Sequence, residues 1–282
     1  MMRERCLRPF ICPICQQPLH RSGGGARCPQ NHTFDFAREG YLHLLPGGGK
    51  RPKFLGDSTD MVQARRRFLD TGLYEPLRMR LQTIAKQCVE TINEPVVVEM
   101  GCGEGYYVGG LAEQWPSAGC FVGVDVAKEA VRLAARRYQG VQFAVADVKR
   151  PLPLTPACAH LLLNIFAPRQ PASFAQLLAP GGWLLVVIPQ DNHLATVREQ
   201  LGLLTIETDK EAKVVAQFTP WLRLVRRETV SFALTLTANT LADLVLMSPN
   251  ARHLDEGQRA ALATLPLHSS EASLTLLLFQ RS

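Results

Sequence analysis

Residues 96–105 constrain this chain most. Val96, Val97 and Val98 open an apolar run that closes at Met100, and Gly101-Cys102-Gly103-Glu104-Gly105 follows at once. A short β-branched run without alternation suits a strand covered on both faces of a parallel sheet. Glycines let the backbone turn sharply and approach a ligand closely. A helix-like segment runs on through Leu111 and Trp115. A second strand, 121–125, ends on Asp125, 20 residues after Gly105. A third, 141–146, stops before Asp147, and a fourth, 161–166, leads into Ala167-Pro168. A Pro180-Gly181-Gly182 turn precedes a fifth, 184–188. Residues 222–236 read as strand in places, 240–247 and 256–265 as helices, and 273–279 as a terminal strand. The pattern predicts an α/β fold, a Rossmann-like doubly wound sheet of about seven strands. With 46% hydrophobic and 20% charged residues the chain is not disordered. No apolar run approaches the roughly 18 residues of a membrane span.

Two cofactor classes compete for the glycine loop. A dinucleotide asks for G-x-G-x-x-G, with a helix N-terminus facing the pyrophosphate. Here the spacing is G-x-G-x-G, and Glu104 inside it would repel a pyrophosphate. S-adenosylmethionine has no phosphate and carries a sulfonium and an ammonium, which favour nearby acids such as Glu99 and Glu104. Asp125 can accept both ribose hydroxyls of a nucleoside, and Asp147 can face the adenine amino group. The expected cofactor residues are therefore Glu99, Gly101, Gly103, Glu104, Gly105, Asp125 and Asp147. A bare structural αβ domain with no cofactor is the plain alternative.

The cysteines divide by position. Cys88, Cys102, Cys120 and Cys158 stand singly in apolar surroundings and read as small core residues. Cys12-x2-Cys15-x12-Cys28-x3-His32 reads as two metal-binding knuckles. Three thiolates and an imidazole suit a closed, structural, tetrahedral Zn2+ site. A module of about 45 residues buries little core, and metal binding supplies the missing folding energy. Gly23-Gly24-Gly25 between the knuckles marks a hairpin tip. Cys6 and His20 are spare ligands. A Cys-x-x-Cys redox pair would belong beside a βαβ pattern, which this segment lacks.

Charge is uneven. Residues 1–80 hold 14 basic and 7 acidic residues, so the excess positive charge of the chain, +6 in all, sits in the first quarter. A solvated basic face is the plain reading, and a footprint for a polyanion the sharper one. Residues 44–53 form a Gly- and Lys/Arg-rich linker. Met61, Ala64, Phe68 and Leu69 then repeat at helical spacing, and Gly72 separates this helix from a second over 73–89. Arg65, Arg66 and Arg67 lie in the first helix and are candidate RNA phosphate contacts. The domains are expected at 1–46 (zinc module), 47–90 (linker and helical connector) and 91–282 (cofactor domain).

The combination resembles the 23S ribosomal RNA (guanine-N1)-methyltransferases, the RlmA/RrmA family. The likeness runs over nearly the whole chain. It is carried by Cys12-Pro13-x-Cys15, Cys28-Pro29-x2-His32, Glu39-Gly40-Tyr41 and Leu44-Leu45-Pro46. It continues in Gly56-Asp57-Ser58-x2-Met61-x2-Ala64-Arg65-Arg66-x-Phe68-Leu69, Gly72-x-Tyr74-x-Pro76-Leu77, Gly101 to Tyr107, Ala167-Pro168 and Ala179 to Trp183. The resemblance implies a class I methyltransferase fold, zinc on the four ligands named, and cofactor contacts at Tyr74, at Gly103-Glu104 and at His193. It further implies an rRNA hairpin as substrate and self-association. Similar sequences carry an acid where this chain has His160 at the start of the fourth strand. The guanine-745 branch of the family is the expected one, with the guanine-748 branch and a small-molecule methyltransferase as alternatives.

Guanine N1 lies on the Watson–Crick edge, so the base must be in a loop or extruded. Its proton must leave, which calls for a base or for a donor that stabilises the deprotonated O6–N1 system. The catalytic group is not legible here; Asn164, near a strand end, is the candidate. Residues 1–9 contain no secretory-type apolar run, so the cytoplasm is the expected compartment, with cysteines reduced.

Overall fold

The computed structural model describes residues 7–45, 56–115, 119–201, 207, 209–248, 257 and 268–282. Four short strands come first: β1 (His20–Ser22), β2 (Gly25–Arg27), β3 (Thr33–Asp35) and β4 (Leu42–His43). Helices α1 (Thr59–Asp70) and α2 (Glu75–Val89) follow. The chain then runs β5 (Val96–Met100), α3 (Tyr106–Gln114), β6 (Cys120–Asp125), α4 (Lys128–Arg137), β7 (Val141–Val145), β8 (Ala159–Ile165), α5 (Pro171–Leu177) and β9 (Leu178–Pro189). It ends with α6 (Ala195–Leu201), α7 (Lys210–Phe218), β10 (Arg223–Leu236), α8 (Ala238–Leu246) and β11 (His268–Gln280). Apart from residue 257, the expected helix over 256–265 lies outside the described residues, as do the candidate ligand Cys6 and most of the expected linker.

The main sheet has the order β10-β11-β9-β8-β5-β6-β7-β4. Strands β4 to β9 of this sheet pair in parallel, and β11 and β10 are antiparallel additions. Apolar runs without alternation bury both faces: Val97, Val98, Val122, Val124, Leu161, Leu162, Leu184 and Leu185 are all covered. The edge strand β10 alternates instead, with one face in water. From β5 the chain winds outward through β6 and β7, then returns to β8 on the other side. The sheet therefore has its topological switch point between β5 and β8, where the carboxyl ends of parallel strands leave a crevice.

Local signals set the helices that overlie this crevice. Ser58 caps α1 by accepting the Met61 amide, and Gly72, at φ +78°, ends the turn that follows it. Pro76 sits in the first turn of α2, where its missing N–H costs nothing.

The N-terminal module is welded to the sheet. Its β1-β2-β3 hairpin sheet turns at Gly23-Gly24 as expected. The two-residue β4 adds an eighth strand, parallel to β7, and the Leu44 amide donates to the Val145 carbonyl. Ile11 N–H donates to Pro153 O (3.1 Å), and Thr155 N–H to Pro9 O (2.7 Å). Phe10, Cys12, Leu19, Leu42 and Leu44 share one core with Val98, Met100 and Val122. Glu39 pairs with Arg136 of α4 at 2.8 Å. Among the described residues, no helix is long and apolar enough to cross a membrane.

Candidate functional site

The two knuckles close on one point. Cys12, Cys15, Cys28 and His32 bring their ligand atoms within 4.8 Å of one another. The Cys15–Cys28 Sγ–Sγ distance is 3.5 Å, and His32 Nδ1 lies 3.5 Å from Cys12 Sγ and 3.4 Å from Cys28 Sγ. A tetrahedral zinc with ordinary Zn–S and Zn–N bonds has ligand–ligand edges of about 3.6–3.8 Å. These three edges lie within a few tenths of an ångström of that geometry. Each knuckle turns on a left-handed residue, Gln16 in one and Asn31 in the other, and the Ile14 amide points at Cys12 Sγ (3.4 Å). Four ligands fill the coordination shell, which makes the site structural. His20 lies on exposed β1, outside the cluster.

The glycine loop leaves β5 at the switch point. Gly101, Gly103 and Gly105 have φ of +77°, +54° and +80°, a region that L side chains avoid. Asp125, at the end of β6, fastens the loop: its Oδ2 accepts the Gly103 amide and its Oδ1 the Ala127 amide, both at 2.8 Å. Each oxygen keeps a lone pair for a further donor, such as a ribose hydroxyl. Glu99 is fully buried and accepts the Val108 amide at 2.9 Å. It thus caps α3 from the neighbouring strand, because the N-cap residue, Gly105, has no side chain to do so. Burial pushes its carboxyl well above the usual range. Asp147 follows β7, accepts the Lys149 amide and lies 3.9 Å from Arg150.

Glu104 is the unsatisfied member. It is 4% exposed, and its Oε2 has no hydrogen-bond partner. Burial pushes its carboxyl up to about 7, against the pull of Arg65. A buried acceptor without a donor is costly, and the ammonium of S-adenosylmethionine is a donor of the right charge. Glu104, the free lone pairs of Asp125 and the side-chain-free Gly101 and Gly103 together fit that cofactor. An acid whose folded pKa lies above its unfolded value favours folding below the unfolded pKa. That contribution is lost as pH rises through the folded value. The ligand-free protein is therefore expected to lose thermal stability between about pH 5 and pH 8, by at most ~3 kcal/mol from this group. Glu104→Gln should flatten the slope. A melting series against pH checks both; a flat wild-type profile would refute the assignment.

The three arginines diverge. Positions 65, 66 and 67 lie about 100° apart around a helix, so they cannot share a face. Arg65 turns inward: its Nη2 meets Asp57 Oδ2 at 2.5 Å and Met247 O at 3.2 Å. Its Nη1 would stand 3.3 Å from a Cβ on Gly103, and Glu104 and Asp125 both act on its charge. Arg66 lies 3.8 Å from Asp70, and Arg67 binds Asp243 of α8 at 2.5 Å. Each therefore has a carboxylate partner in the chain, and Arg65 belongs to the floor of the cofactor loop.

Tyr74 and His193, 119 residues apart in sequence, meet at 3.4 Å through the phenol oxygen and Nε2. His193 Nδ1 accepts the Ser273 amide at 3.1 Å, which assigns the ring proton to Nε2. Burial, aided by the charge of Arg198, lowers this imidazole to about 4, so it is neutral at physiological pH. Asn164 is fully buried; its Nδ2 donates to Pro168 O at 3.0 Å and to Met100 O at 3.5 Å. Its Oδ1 accepts Arg169 Nε at 3.3 Å. His160 Nδ1, at the start of β8, accepts the Val96 amide (3.0 Å), which gives this departure from the family pattern a structural role. The turn after β8 carries an exposed Phe166 and a half-buried Arg169; only the Ala167-Pro168 pair hinted at that turn.

Comparison with known proteins follows this division. Residues 10–53 match the zinc-ribbon family described as "RlmA, N-terminal", and residues 97–182 match a methyltransferase domain family. The chain is 39% identical over 277 residues to the 23S rRNA (guanine(748)-N(1))-methyltransferase of Streptomyces fradiae, covering 97% of both chains. The crystal structure of YcgJ from Bacillus subtilis matches the fold with a TM-score of 0.50 at 17% identity, over 72% of this chain and 98% of that one.

Proposed function

The chain belongs to the 23S rRNA (guanine-N1)-methyltransferase family, and from that premise we propose that it transfers the methyl group of S-adenosylmethionine to N1 of a guanine in 23S rRNA. One observation carries the reading. A chain related to the Streptomyces fradiae enzyme end to end keeps both functional parts together: a closed Cys3His zinc cluster and a loop of three left-handed glycines ringed by Asp125 and Glu104. When bound, the cofactor supplies an electrophilic methyl group on a positively charged sulfur. The chain's own residues would then divide the work. Asp125 holds the ribose hydroxyls, Glu104 receives the ammonium, and His193 with Tyr74 walls the site on the side of α2. Asp147 would face the adenine. Zinc holds the N-terminal module in shape against the sheet edge.

The proposal includes a hairpin loop as substrate, because N1 is occupied by base pairing within a duplex. It also includes the cytoplasm as compartment, and RNA contact by Arg66 and Arg67 through exchange of their carboxylate partners for phosphate. Self-association belongs to the same reading, and sedimentation with and without an rRNA fragment tests it. The family resemblance pointed to guanine 745; the name of the Streptomyces fradiae relative supports guanine 748. Methyl transfer from labelled S-adenosylmethionine to unmodified 23S rRNA, with the nucleotide mapped, is expected to place label on guanine N1 at one of these two positions. Label at 745 or at 748 settles the branch. No label on rRNA, from protein that binds the cofactor, sinks the reading and points to a small-molecule acceptor.

A further inference from the structure

The turn after β8 carries features that the cofactor site does not use. Phe166 is its first residue, and its side chain is 44% exposed although it sits beside the centre of the sheet. Its φ is +53°, a conformation that bulky side chains rarely adopt and that folded structure must impose. Ala167 abuts the cofactor loop: a Cβ added to Gly101 would lie 2.4 Å from its Cβ. The turn thus stands at the switch point, against the loop assigned to the methyl donor.

Beside it lies an open cleft of about 520 Å3 lined in part by Ala167, Arg169, Gln170, Gln217 and Trp221, with Phe166 the residue just before this lining. Arg169, one of the lining residues, is held by hydrogen bonds from Nε to Asn164 Oδ1 (3.3 Å) and from Nη2 to Ala167 O (3.5 Å). Among the described residues it has no ion-pair partner, and Lys210, the charged group it acts on, is another cation. Burial lowers the pKa of both. A half-enclosed guanidinium with no acid beside it calls for an electron-rich ligand.

We propose that this cleft receives the extruded guanine, with Phe166 stacking on the base and Arg169 donating to its O6. Aromatic side chains are the usual platform for an unstacked base, and an arginine is the most common reader of guanine O6 and N7. The assignment rests on the guanine-N1 reading. It supplies the donor that the chemistry requires. The N1 proton departs to water in the open cleft, leaving negative charge shared between N1 and O6. The N1–C bond forms as the C–S bond of the donor breaks with its electron pair kept on sulfur. The Arg169 guanidinium meets the charge on O6. Asn164 becomes a positioning residue, holding Arg169 rather than touching the base.

Four variants test this in the full chain: Phe166→Gly, Phe166→Trp, Arg169→Lys and Arg169→Met. Phe166→Gly relieves the positive φ, so its melting temperature should hold or rise while kcat/KM for the rRNA fragment falls at least about tenfold. Phe166→Trp should keep most activity. Arg169→Met should lose about 100-fold or more in single-turnover rate and move the pH–rate profile to higher pH. Arg169→Lys should recover part of that loss. Cofactor affinity, measured by calorimetry, should stay unchanged throughout. Wild-type rates in Phe166→Gly and Arg169→Met, or an Arg169→Met loss that is equal at every pH, would overturn the pocket while leaving the methyltransferase reading intact. Failure of the wild-type protein to methylate rRNA would overturn both.

Discussion

Stripping the metal from Cys12, Cys15, Cys28 and His32 is expected to unfold more than the zinc module. Zinc binding to small Cys/His modules is worth about 10–16 kcal/mol in apparent free energy, more than a core of this size supplies. Residues 7–45 should therefore lose protection from amide exchange once a strong chelator is added, and Cys28→Ala should reproduce the effect without one. The module does not end at its own boundary. Its β4 forms the edge of the main sheet against β7, and Ile11 and Pro9 exchange hydrogen bonds with the 153–155 turn. Removing it exposes one side of β7 and frees the loop that carries Asp147. Exchange should accelerate in 141–155 as well, while β5, β8 and β9, buried in the middle of the sheet, stay protected. Intact protein should carry one zinc per chain by elemental analysis. If protection is lost only up to residue 45, the module is a tethered appendage and the weld across β4 contributes nothing.

What the sequence made legible follows from the range of the interactions involved. The strand–glycine-loop unit at 96–105 is local, and its glycines are required by left-handed backbone at Gly101, Gly103 and Gly105, so composition alone announced it. Metal geometry imposes spacing, so the four ligands could be read directly, and the structure brings them together. Helical periodicity found α1 and α2 for the same reason. Long-range effects were hidden. The strand expected to begin at 184 begins at Leu178, because a bulge lets Ala159 pair with Leu178 and Leu161 with Trp183. The partners of the three arginines were hidden as well: Arg65 meets Asp57, Arg66 lies beside Asp70 and Arg67 reaches Asp243 of α8. The meeting of Tyr74 with His193 leaves no local trace, since it depends on α2 and the loop after β9 being folded together. The left-handed turn at Phe166 has none either, because no residue type there announces a positive φ.

Gly101→Ala is expected to damage both the stability of the chain and its cofactor site. Two costs combine. A non-glycine residue at φ +77° is disfavoured by about 1–2 kcal/mol. The new Cβ would also sit 2.4 Å from the Cβ of Ala167, far inside contact distance, and relieving such overpacking costs about 1–3 kcal/mol. The expected loss of stability is about 2–5 kcal/mol, with cofactor affinity lowered at least tenfold, because the β5 and β8 turns must separate where the site is built. Gly181→Ala is the control. Its φ is +73°, but nothing lies within 4 Å of its added Cβ, so it should carry the conformational cost alone and leave cofactor affinity unchanged. Adding Ala167→Gly to Gly101→Ala restores the space but not the backbone freedom. The double variant should regain the affinity and only part of the stability, a coupling that a double-mutant cycle measures directly. Additive losses in the double variant would mean that the two turns do not support each other, and that Gly101 serves only its own backbone.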